Sequence, residues 1–457
     1  MKTLITYTLI LFSITMLGAQ TPEEAVNFIE NEDGVGTRAQ AMGNAFTAVA
    51  DDYSATYWNP AGLTLLKTHE LSGDFYHLKL NNQALFEGTT VNDDRTFTKF
   101  RSLGLAYKFP TNQGSFVLSF GYNRFKDYDD FLYFTGYTLE SNGLEFELED
   151  EEGNLNYYPF DSKVVQSEEI FQEGNLSAWS IAGGIELSSR FAVGATVNFF
   201  SGKNRYLFTF SQEDVNDLYN EFPANYSSYE LHNRIDSRFS GYGIKLGGLF
   251  HLSESFRIGM AVDLPTSLHV SEKYAADDIL NFDDEYSSEF DLGSGEWEYL
   301  VKYPYKISGG IALDMNDLLV GASFDYRDWS QVEFDLPEGY EYTQDYKDLL
   351  NENTYFAEIF RSVLSYAAGA EYHIRGTGLK LRGGYRYVPS PLVDNDEKLK
   401  RVYYSVGFGY DIDESATLNF SYTTGKWKRS SYDSYTPGGT FESVKSERFA
   451  AGITFRM

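Results

Sequence analysis

The side chains of this sequence that could do chemistry are six histidines and three acidic clusters at residues 127–130, 283–285 and 394–397. No histidine accompanies a G-x-S-x-G or related nucleophile pattern, and no two have the spacing of a metal-binding pair. The acidic clusters offer carboxylates, which calcium prefers, but none has the spacing of a known calcium loop, so solvated loop charge is favoured. We therefore predict no catalytic residue, no metal site and no cofactor. The protein is not expected to be an enzyme.

Composition and charge narrow the class of protein further. The chain has 457 residues, 67 acidic and 37 basic side chains, a formal net charge of -30 and no cysteine. Binding of nucleic acid needs clustered Lys and Arg, so this charge argues against it. Disulfide bonds and thiolate chemistry are excluded because there is no thiol.

The first residues are typical of an export signal. Lys2 supplies a positive charge, residues 4–17 are mostly apolar, and Leu17-Gly18-Ala19 fits a small-residue cleavage site. We predict a signal peptide at residues 1–19. No later apolar stretch is long enough for a transmembrane helix.

Aromatic and glycine content points to a membrane protein nevertheless. The chain contains 36 Tyr, 36 Phe and 40 Gly, far from average usage. Strands of an outer-membrane β-barrel are apolar only at alternate residues, so they escape a search for apolar helices. Fourteen segments show such alternation, and we place them at residues 70–80, 100–109, 116–125, 178–187, 191–200, 239–252, 256–264, 301–313, 318–326, 362–374, 379–387, 401–410, 416–424 and 443–455.

Long and short connections alternate without exception along these fourteen candidates. Long outer loops and short periplasmic turns are typical of outer-membrane barrels, with an even strand number and both ends in the periplasm. In the second strand, Arg101, Leu103 and Leu105 share one face, opposite Ser102 and Gly104. A soluble sandwich or propeller is the alternative, but the regular connections and the absence of a blade-length repeat favour a barrel. We predict an all-β, 14-stranded antiparallel transmembrane β-barrel.

A stretch rich in small residues precedes the first strand. Within residues 34–63, residues 34–50 hold eight Gly and Ala, and an Asn59-Pro60 turn follows. Small side chains allow backbone to pack closely on backbone. Such a segment suits a compact plug, or hatch, inside the barrel lumen. A surface helix followed by a loop is the alternative.

Four segments of the sequence, in this order, resemble the FadL/TodX family of outer-membrane channels for hydrophobic compounds. The first resembles the family's N-terminal hatch with its NPA motif, here Asn59, Pro60 and Ala61. The others are similar to strands that the family places later in the barrel. The segments are GTRAQAMGNAFTAVADDYSATYWNPAGL at residues 36–63, FDYRDWSQ at 324–331, LRGGYRYVPSPLVD at 381–394 and VYYSVGFGYDI at 402–412.

The resemblance implies a hatch at residues 20–68 inside a barrel at residues 69–457, in the outer membrane of a Gram-negative bacterium. It also implies passive uptake of long-chain fatty acids or other hydrophobic small molecules, with sideways release into the membrane lipids through a gap at an inward kink of the third strand. Here that strand shows no clear breaker, so the gap is not placed. Relatives with the same hatch motif serve protein secretion or surface anchoring. An exported protein is therefore the alternative partner.

Ligand contacts inside the lumen would combine an apolar pocket with a few cationic or amide donors. The candidates on the polar faces of the strands are Lys108, Asn123, Asn198, Lys245 and Arg382. Packing, or salt bridges with acids such as Glu186 and Asp263, is the alternative role for each. An interfacial girdle is expected at the aromatic residues near strand ends, Tyr107, Trp179, Tyr326, Trp329 and Trp427.

Overall fold

The computed structural model describes residues 21–30, 33–339, 343–393 and 399–457, so the predicted signal peptide lies outside the described residues. Short helices form five segments, α1 Pro22–Ile29, α2 Thr37–Ala41, α3 Ala55–Trp58, α4 Gln344–Asn351 and α5 Asn353–Ile359, with 3₁₀ turns at Pro60–Leu65 and Trp329–Gln331. None of the helices within these ranges is long and apolar enough to cross a bilayer.

Strands make up most of the described chain. Their bounds are β1 Glu70–Phe86, β2 Thr89–Phe109, β3 Phe116–Asp127, β4 Asp130–Thr138, β5 Glu145–Glu149, β6 Leu155–Pro159, β7 Val164–Ser188, β8 Phe191–Glu213, β9 Tyr226–His251, β10 Phe256–Asp263, β11 Thr266–Phe282, β12 Ser287–Tyr303, β13 Lys306–Met315, β14 Leu318–Asp328, β15 Glu333–Asp335, β16 Ser362–Ile374, β17 Leu379–Val388, β18 Arg401–Asp411, β19 Ala416–Ser431 and β20 Thr440–Arg456.

Fourteen of these strands close into one antiparallel ring. β1 pairs with β20 from Glu70 opposite Arg456 onwards, and His69 and Met457 exchange backbone hydrogen bonds of 3.2 and 3.0 Å. The all-β, 14-stranded barrel predicted from the sequence is confirmed. The members of the ring, each paired with the next, are β1, β2, β3, β7, β8, β9, β10, β13, β14, β16, β17, β18, β19 and β20.

Alternation of side chains explains why these segments form a barrel wall. Along β1, residues are buried and exposed in turn for its whole length, because neighbouring side chains of a strand point to opposite faces. The exposed faces of the ring are apolar, with Phe75, Leu103 and Ile181 about half exposed. The opposite faces point into the lumen.

Several connections that the sequence analysis treats as long loops are themselves strands. β1 and β2 continue through the predicted loop at residues 81–98 to a tight turn at Glu87-Gly88. The predicted loop at residues 265–299 is the β11–β12 hairpin, and residues 126–175 include β4, β5 and β6. Cross-strand hydrogen bonds extend the wall beyond the apolar band, and polar composition alone does not reveal such pairing.

The third strand of the ring is interrupted. The ladder between β2 and β3 ends at Ser102 opposite Asn123, so within the described residues no strand pairs with the outer half of β2 on that side. After Tyr128 and Asp129 the chain continues as β4, which pairs with β7. Phe131 of β4 packs with Leu78 and Leu80 on the inner face of β1. This strand therefore turns inward and leaves a break in the wall.

Arg101 lies on the side of the wall opposite to its predicted position. The β1–β2 register shifts between Asp74 and Phe75, so Asp74 faces Ser102 while Phe75 faces Phe100. The extra residue, Arg101, is 1% exposed, and its Nε donates to Gly34 O at 3.1 Å. The prediction that Arg101 shares the outer face of Leu103 was wrong, because a β-bulge reverses the alternation there.

Residues 33–68 fill the lumen and lie against glycines of the inner wall. Gly184, Gly194 and Gly247 stand side by side on β7, β8 and β9. A Cβ atom on Gly184 would lie 2.7 Å from the carbonyl oxygen of Pro60. Inward glycines elsewhere in the ring meet other hatch backbone in the same way, at Gly259, Gly321, Gly369 and Gly384. This glycine belt, defined by these seven residues, lets the hatch approach the wall.

The glycine belt can be tested on two adjacent residues of β9. A Cβ atom on Gly247 would collide with Asn59 Oδ1 and lie 2.8 Å from Pro60 Cδ, whereas on outward-facing Gly248 its nearest neighbour is 3.8 Å away. We expect Gly247→Ala to lower the free energy of unfolding by about 1–3 kcal/mol, the cost of overpacking. Gly248→Ala is the matched control and should change it by less than about 0.5 kcal/mol. Heat-induced unfolding in detergent measures both, and equal effects would contradict the role of the belt.

Candidate functional site

The NPA motif joins two parts of the hatch to the wall. Asn59 is fully buried, and its Nδ2 donates to Thr47 O at 2.9 Å and to Gly248 O at 3.1 Å. Its Oδ1 accepts from the backbone N–H of Ala61 at 3.2 Å, which starts the 3₁₀ turn after Pro60. Every polar atom of the Asn59 amide group is used. The motif therefore holds the final turn of the hatch, and its role in transport stays a prediction.

A buried ion network fixes the other side of the hatch. Arg38 of α2 binds Glu371 of β16 with two parallel hydrogen bonds of 2.9 and 3.0 Å, and it also pairs with Asp51 and Asp52. Glu371 is 2% exposed and accepts a further bond of 2.6 Å from Arg382. One carboxylate thus bridges two guanidinium groups, one from the hatch and one from the wall, and Asp51 and Asp52 supply further negative charge.

Two of the predicted ligand residues bind hatch backbone. Lys108 Nζ donates to Leu66 O at 2.5 Å. Lys245 Nζ donates to Tyr57 O and lies 3.4 Å from Asp263. Both ammonium groups meet the carbonyl oxygens that the ends of the short hatch helices leave unpaired.

The other three predicted residues have side-chain partners. Asn123 and Asn198 are brought together by Ser180, with hydrogen bonds of 3.2 and 2.7 Å, and Asn123 also donates to the hydroxyl of Tyr53 at 3.2 Å. Arg382 belongs to the ion network described above. The five residues do not form one site, and a ligand role for them remains a prediction.

A cavity of about 470 Å³ lies in the lumen between the hatch and the outer end of the barrel. Its floor includes Gln40 and Asn44 of the hatch, and Leu78 and Leu80 of β1 line one side. Four arginines also line it, each paired with an acid or recorded with another partner: Arg386, Arg401, Arg429 and Arg448. We call this space the lumen cavity. Its walls combine apolar side chains with both cationic and acidic ones, the acids including Glu30, Asp33 and Asp129.

Helix α1 lies between the lumen cavity and a cluster of packed apolar side chains, the apolar cluster, which includes Phe239, Tyr299 and Trp329. Thr21 caps the helix by accepting from Glu24 N at 3.3 Å, and Pro22 occupies its first turn. Phe28 packs on Phe239 with ring centroids 4.8 Å apart. Tyr303 donates to the carbonyl oxygen of Ala25 at 2.7 Å. Helix α1 is therefore held in place mainly by apolar contacts.

Sequence analysis missed the cations that hold the hatch, and it misplaced two tryptophans. Arg101 and Arg448 both pair with Asp33 of the hatch. The sequence offered one signal for Arg101: the alternation placed it on the lipid-facing side of its strand, where a charged side chain is costly. Trp329 is 5% exposed and packs within the apolar cluster, and Trp427 lines the lumen cavity, so their assignment to the girdle was wrong. Trp329 opens a 3₁₀ turn after β14, which breaks the alternation.

The acidic clusters have ordinary structural surroundings. Asp127 accepts a hydrogen bond from Arg101 at 3.1 Å and also binds Arg124. The cluster at 283–285 is an exposed turn, and the cluster at 394–397 lies outside the described residues. Within the described ranges no group of three metal-binding side chains is suitably arranged.

The first prediction from this site concerns the ion network. Glu371→Gln would leave Arg38 and Arg382 buried without their shared carboxylate, so we expect a loss of about 3–5 kcal/mol in the free energy of unfolding. Asp317→Asn, which removes the exposed 2.6 Å pair with Arg375, is the control and should cost less than about 1 kcal/mol. Thermal unfolding of both variants tests this, and a small effect of Glu371→Gln would contradict it.

The second prediction concerns pH. Burial, with a smaller contribution from Glu23, raises the pKa of Glu24 to about 7, and its Oε2 has no hydrogen-bond partner among the described residues. The docked helix therefore keeps a proton that a released helix, with the ordinary pKa of 4.5, would lose. Docking of α1 should weaken as the pH rises from about 4.5 to about 7 and stay weaker above.

Because the chain has no cysteine, a spin label on Asn27→Cys reports helix release directly. Label mobility should be greater at about pH 8 than at about pH 5, and Glu24→Gln should remove most of that difference. Glu23→Gln, a change at the exposed neighbouring residue, should keep it. An unchanged pH response in Glu24→Gln would contradict the assignment.

Comparisons with known proteins agree with this arrangement. A family model described as outer membrane protein transport protein (OMPP1/FadL/TodX) matches residues 180–453, more than half of the chain. The fold is similar to that of the toluene transporter TodX of P. putida, at 14% identity and TM-score 0.60, over 93% of this chain and 99% of that one. No curated protein sequence matches the chain.

Two further structures show the same fold. The CymD monoaromatic hydrocarbon channel is 16% identical with TM-score 0.56, over 93% of this chain and 98% of that one. A Pseudomonas aeruginosa FadL homologue is 12% identical with TM-score 0.59, over 92% and 98% of the two chains. The chain belongs to the OMPP1/FadL/TodX family of Gram-negative outer-membrane channels for hydrophobic compounds, which are transporters and not enzymes.

Proposed function

We propose that this channel takes up long-chain fatty acids, together with other hydrophobic small molecules, and releases them sideways into the membrane. The observation that carries the proposal is the position of the lumen cavity, which borders both the apolar cluster around Phe239 and the break in the third strand. Uptake is passive, because the driving force is the gain in free energy when an apolar chain leaves water.

The walls of the lumen cavity favour an amphiphilic acid. A carboxylate is costly to bury unless it is paired with donors. The guanidinium groups of Arg386 and Arg401 lie beside apolar surface, so a carboxylate cargo would join or replace their present partners, such as Glu30 at Arg401. The volume of about 470 Å³ lies within the range of small-molecule sites and favours a small molecule over an exported protein. The similar structures named as toluene and monoaromatic hydrocarbon channels support apolar cargo in general.

The break in the third strand supports sideways release. Tyr128, Asp129 and Asp130, at the inward turn between β3 and β4, line the lumen cavity. Two ion pairs, each with a distance of 3.1 Å, cross from β2 to the edge of the break, Lys99 with Asp129 and Arg101 with Asp127. A ligand in the cavity would reach the membrane here without breaking any backbone ladder.

Uptake assays test cargo and route together. In a Gram-negative host deleted for its own fatty-acid channel, expression of this protein should restore uptake of labelled oleate, with a smaller gain for labelled toluene because toluene lacks a carboxylate. Cysteines at positions 99 and 129, joined by a short bismaleimide, should reduce oleate uptake about tenfold or more by tethering the edges of the break.

The control carries cysteines at 177 and 201, which lie opposite each other where the β7–β8 ladder is continuous. Cross-linking that pair should leave uptake unchanged. Restored uptake that survives the 99–129 cross-link would contradict sideways release through this break but not the choice of cargo. No restored uptake of oleate, with the barrel present in the outer membrane, would contradict the fatty-acid assignment.

A further inference from the structure

The outer surface of β7, β8 and β9 carries ordered rows of side chains where the wall leaves the apolar band. Trp179, Phe199 and Tyr242 face one another across the ladders and are 51%, 51% and 68% exposed. The row immediately outward of them consists of three serines, Ser177, Ser201 and Ser240. Beyond the serines, Lys203 and Arg238 stand side by side. The wall thus changes from aromatic to hydroxyl to cationic over two steps.

Lys203 and Arg238 are an unfavourable pair in the bare protein. They are directly opposite in the β8–β9 ladder, where like charges destabilise a sheet. Among the described residues, neither forms an ion pair. The chain has 67 acidic side chains against 37 basic ones, so acidic partners are abundant in its composition. We call these two residues the cation pair.

The next row outward shows how the same wall neutralises its charges. There Arg205 stands between Glu173 and Asp236, at 4.0 and 2.9 Å, and Lys273 pairs with Glu296. Signs alternate along that row, as favourable cross-strand pairing requires. The cation pair therefore departs from this alternation of charge sign. A bound anion would offset the repulsion between its two members.

A groove of about 410 Å³ joins the cation pair to the aromatic row. Trp179 stacks on Phe120 with centroids 5.2 Å apart and forms the apolar end of the groove. Ser177 lies in the middle and binds the hydroxyl of Tyr122 at 2.7 Å. Lys203 and Arg238 line the other end. Apolar surface at one end and two cations at the other fit an amphiphile with an anionic headgroup.

The depth of the groove in the membrane indicates where that amphiphile comes from. Aromatic rows mark the boundary between hydrocarbon and headgroups. Four residues separate Phe199 from Lys203, about 13 Å along an extended strand, which places the cation pair at headgroup depth. Phosphate oxygens accept strong, charge-assisted hydrogen bonds from Lys and Arg.

We propose that Lys203 and Arg238 bind the phosphate of a lipid headgroup in the outer leaflet, with its acyl chains lying along Trp179 and Phe199. The phosphate compensates the like charges of the two cations, and the exposed hydroxyl groups of Ser201 and Ser240 can donate to it from below. The site lies on the outside of the wall and does not depend on the cargo proposed for the lumen.

Native mass spectrometry of the whole detergent-solubilised barrel tests the site. The probes are a bis-phosphorylated glucosamine lipid and the same lipid after removal of its phosphates. We expect Lys203→Gln/Arg238→Gln to lower the retained fraction of the phosphorylated lipid about tenfold or more, because two charge-assisted contacts are lost. Arg205→Gln/Lys273→Gln, from the neutralised row, removes the same charge and should lower it less than about twofold.

Thermal unfolding distinguishes loss of this site from a general loss of positive charge. Without lipid, Lys203→Gln relieves repulsion, so its unfolding midpoint should be above that of the unmodified protein. With the phosphorylated lipid present, the order should reverse. Equal binding by the cation-pair variant, equal loss in the control, or no reversal would each overturn the proposal. Displacement of the lipid by inorganic phosphate at equal concentration would also overturn it, since the site would then be one for free anions.

Discussion

Direct contact between backbone and backbone is the constraint on which this structure depends. A ring of fourteen strands is too wide for its own side chains to fill, so its lumen holds either water or a further segment, and here the hatch occupies it. The glycine belt removes side chains from the wall where that segment arrives, and Asn59 joins its amide to Gly248 of the wall. Close approach then allows hydrogen bonds to replace the water that an open lumen would hold.

The segments inside the lumen are held in place by two different kinds of interaction. At the hatch, buried charges such as Arg38 and Glu371 must stay paired, because an unpaired buried charge is very costly. Helix α1 is seated mainly by apolar contacts, for example Phe28 on Phe239, and by a few hydrogen bonds. Release of α1 would therefore expose apolar surface but would break no ion pair of the Arg38 network. This difference separates a permanent plug from a displaceable cover above it.

On the outer face of the wall, the type of side chain changes with depth in the membrane. Residues that face outward meet hydrocarbon at the level of Phe199, headgroups at the level of Lys203 and water beyond. The sign of each charge matters most at the middle level, where lipid phosphates concentrate. Register between strands sets which charges become neighbours, so Arg205 is neutralised by Asp236 while Lys203 faces Arg238.

The sequence by itself determined the strand number and the antiparallel order, because alternation, turn residues and connection lengths are local properties of the chain. For the small-residue segment it left both a lumen hatch and a surface helix open. The segments predicted at residues 362–374 and 379–387 agree with β16 and β17 to within one residue. Only the tertiary structure decided the inward turn after Asp127, the bulge that moves Arg101 into the lumen and the burial of Trp329. Each of these depends on the pairing of one strand with another, and pairing register is a relation between distant segments that the alternation within a single strand does not contain.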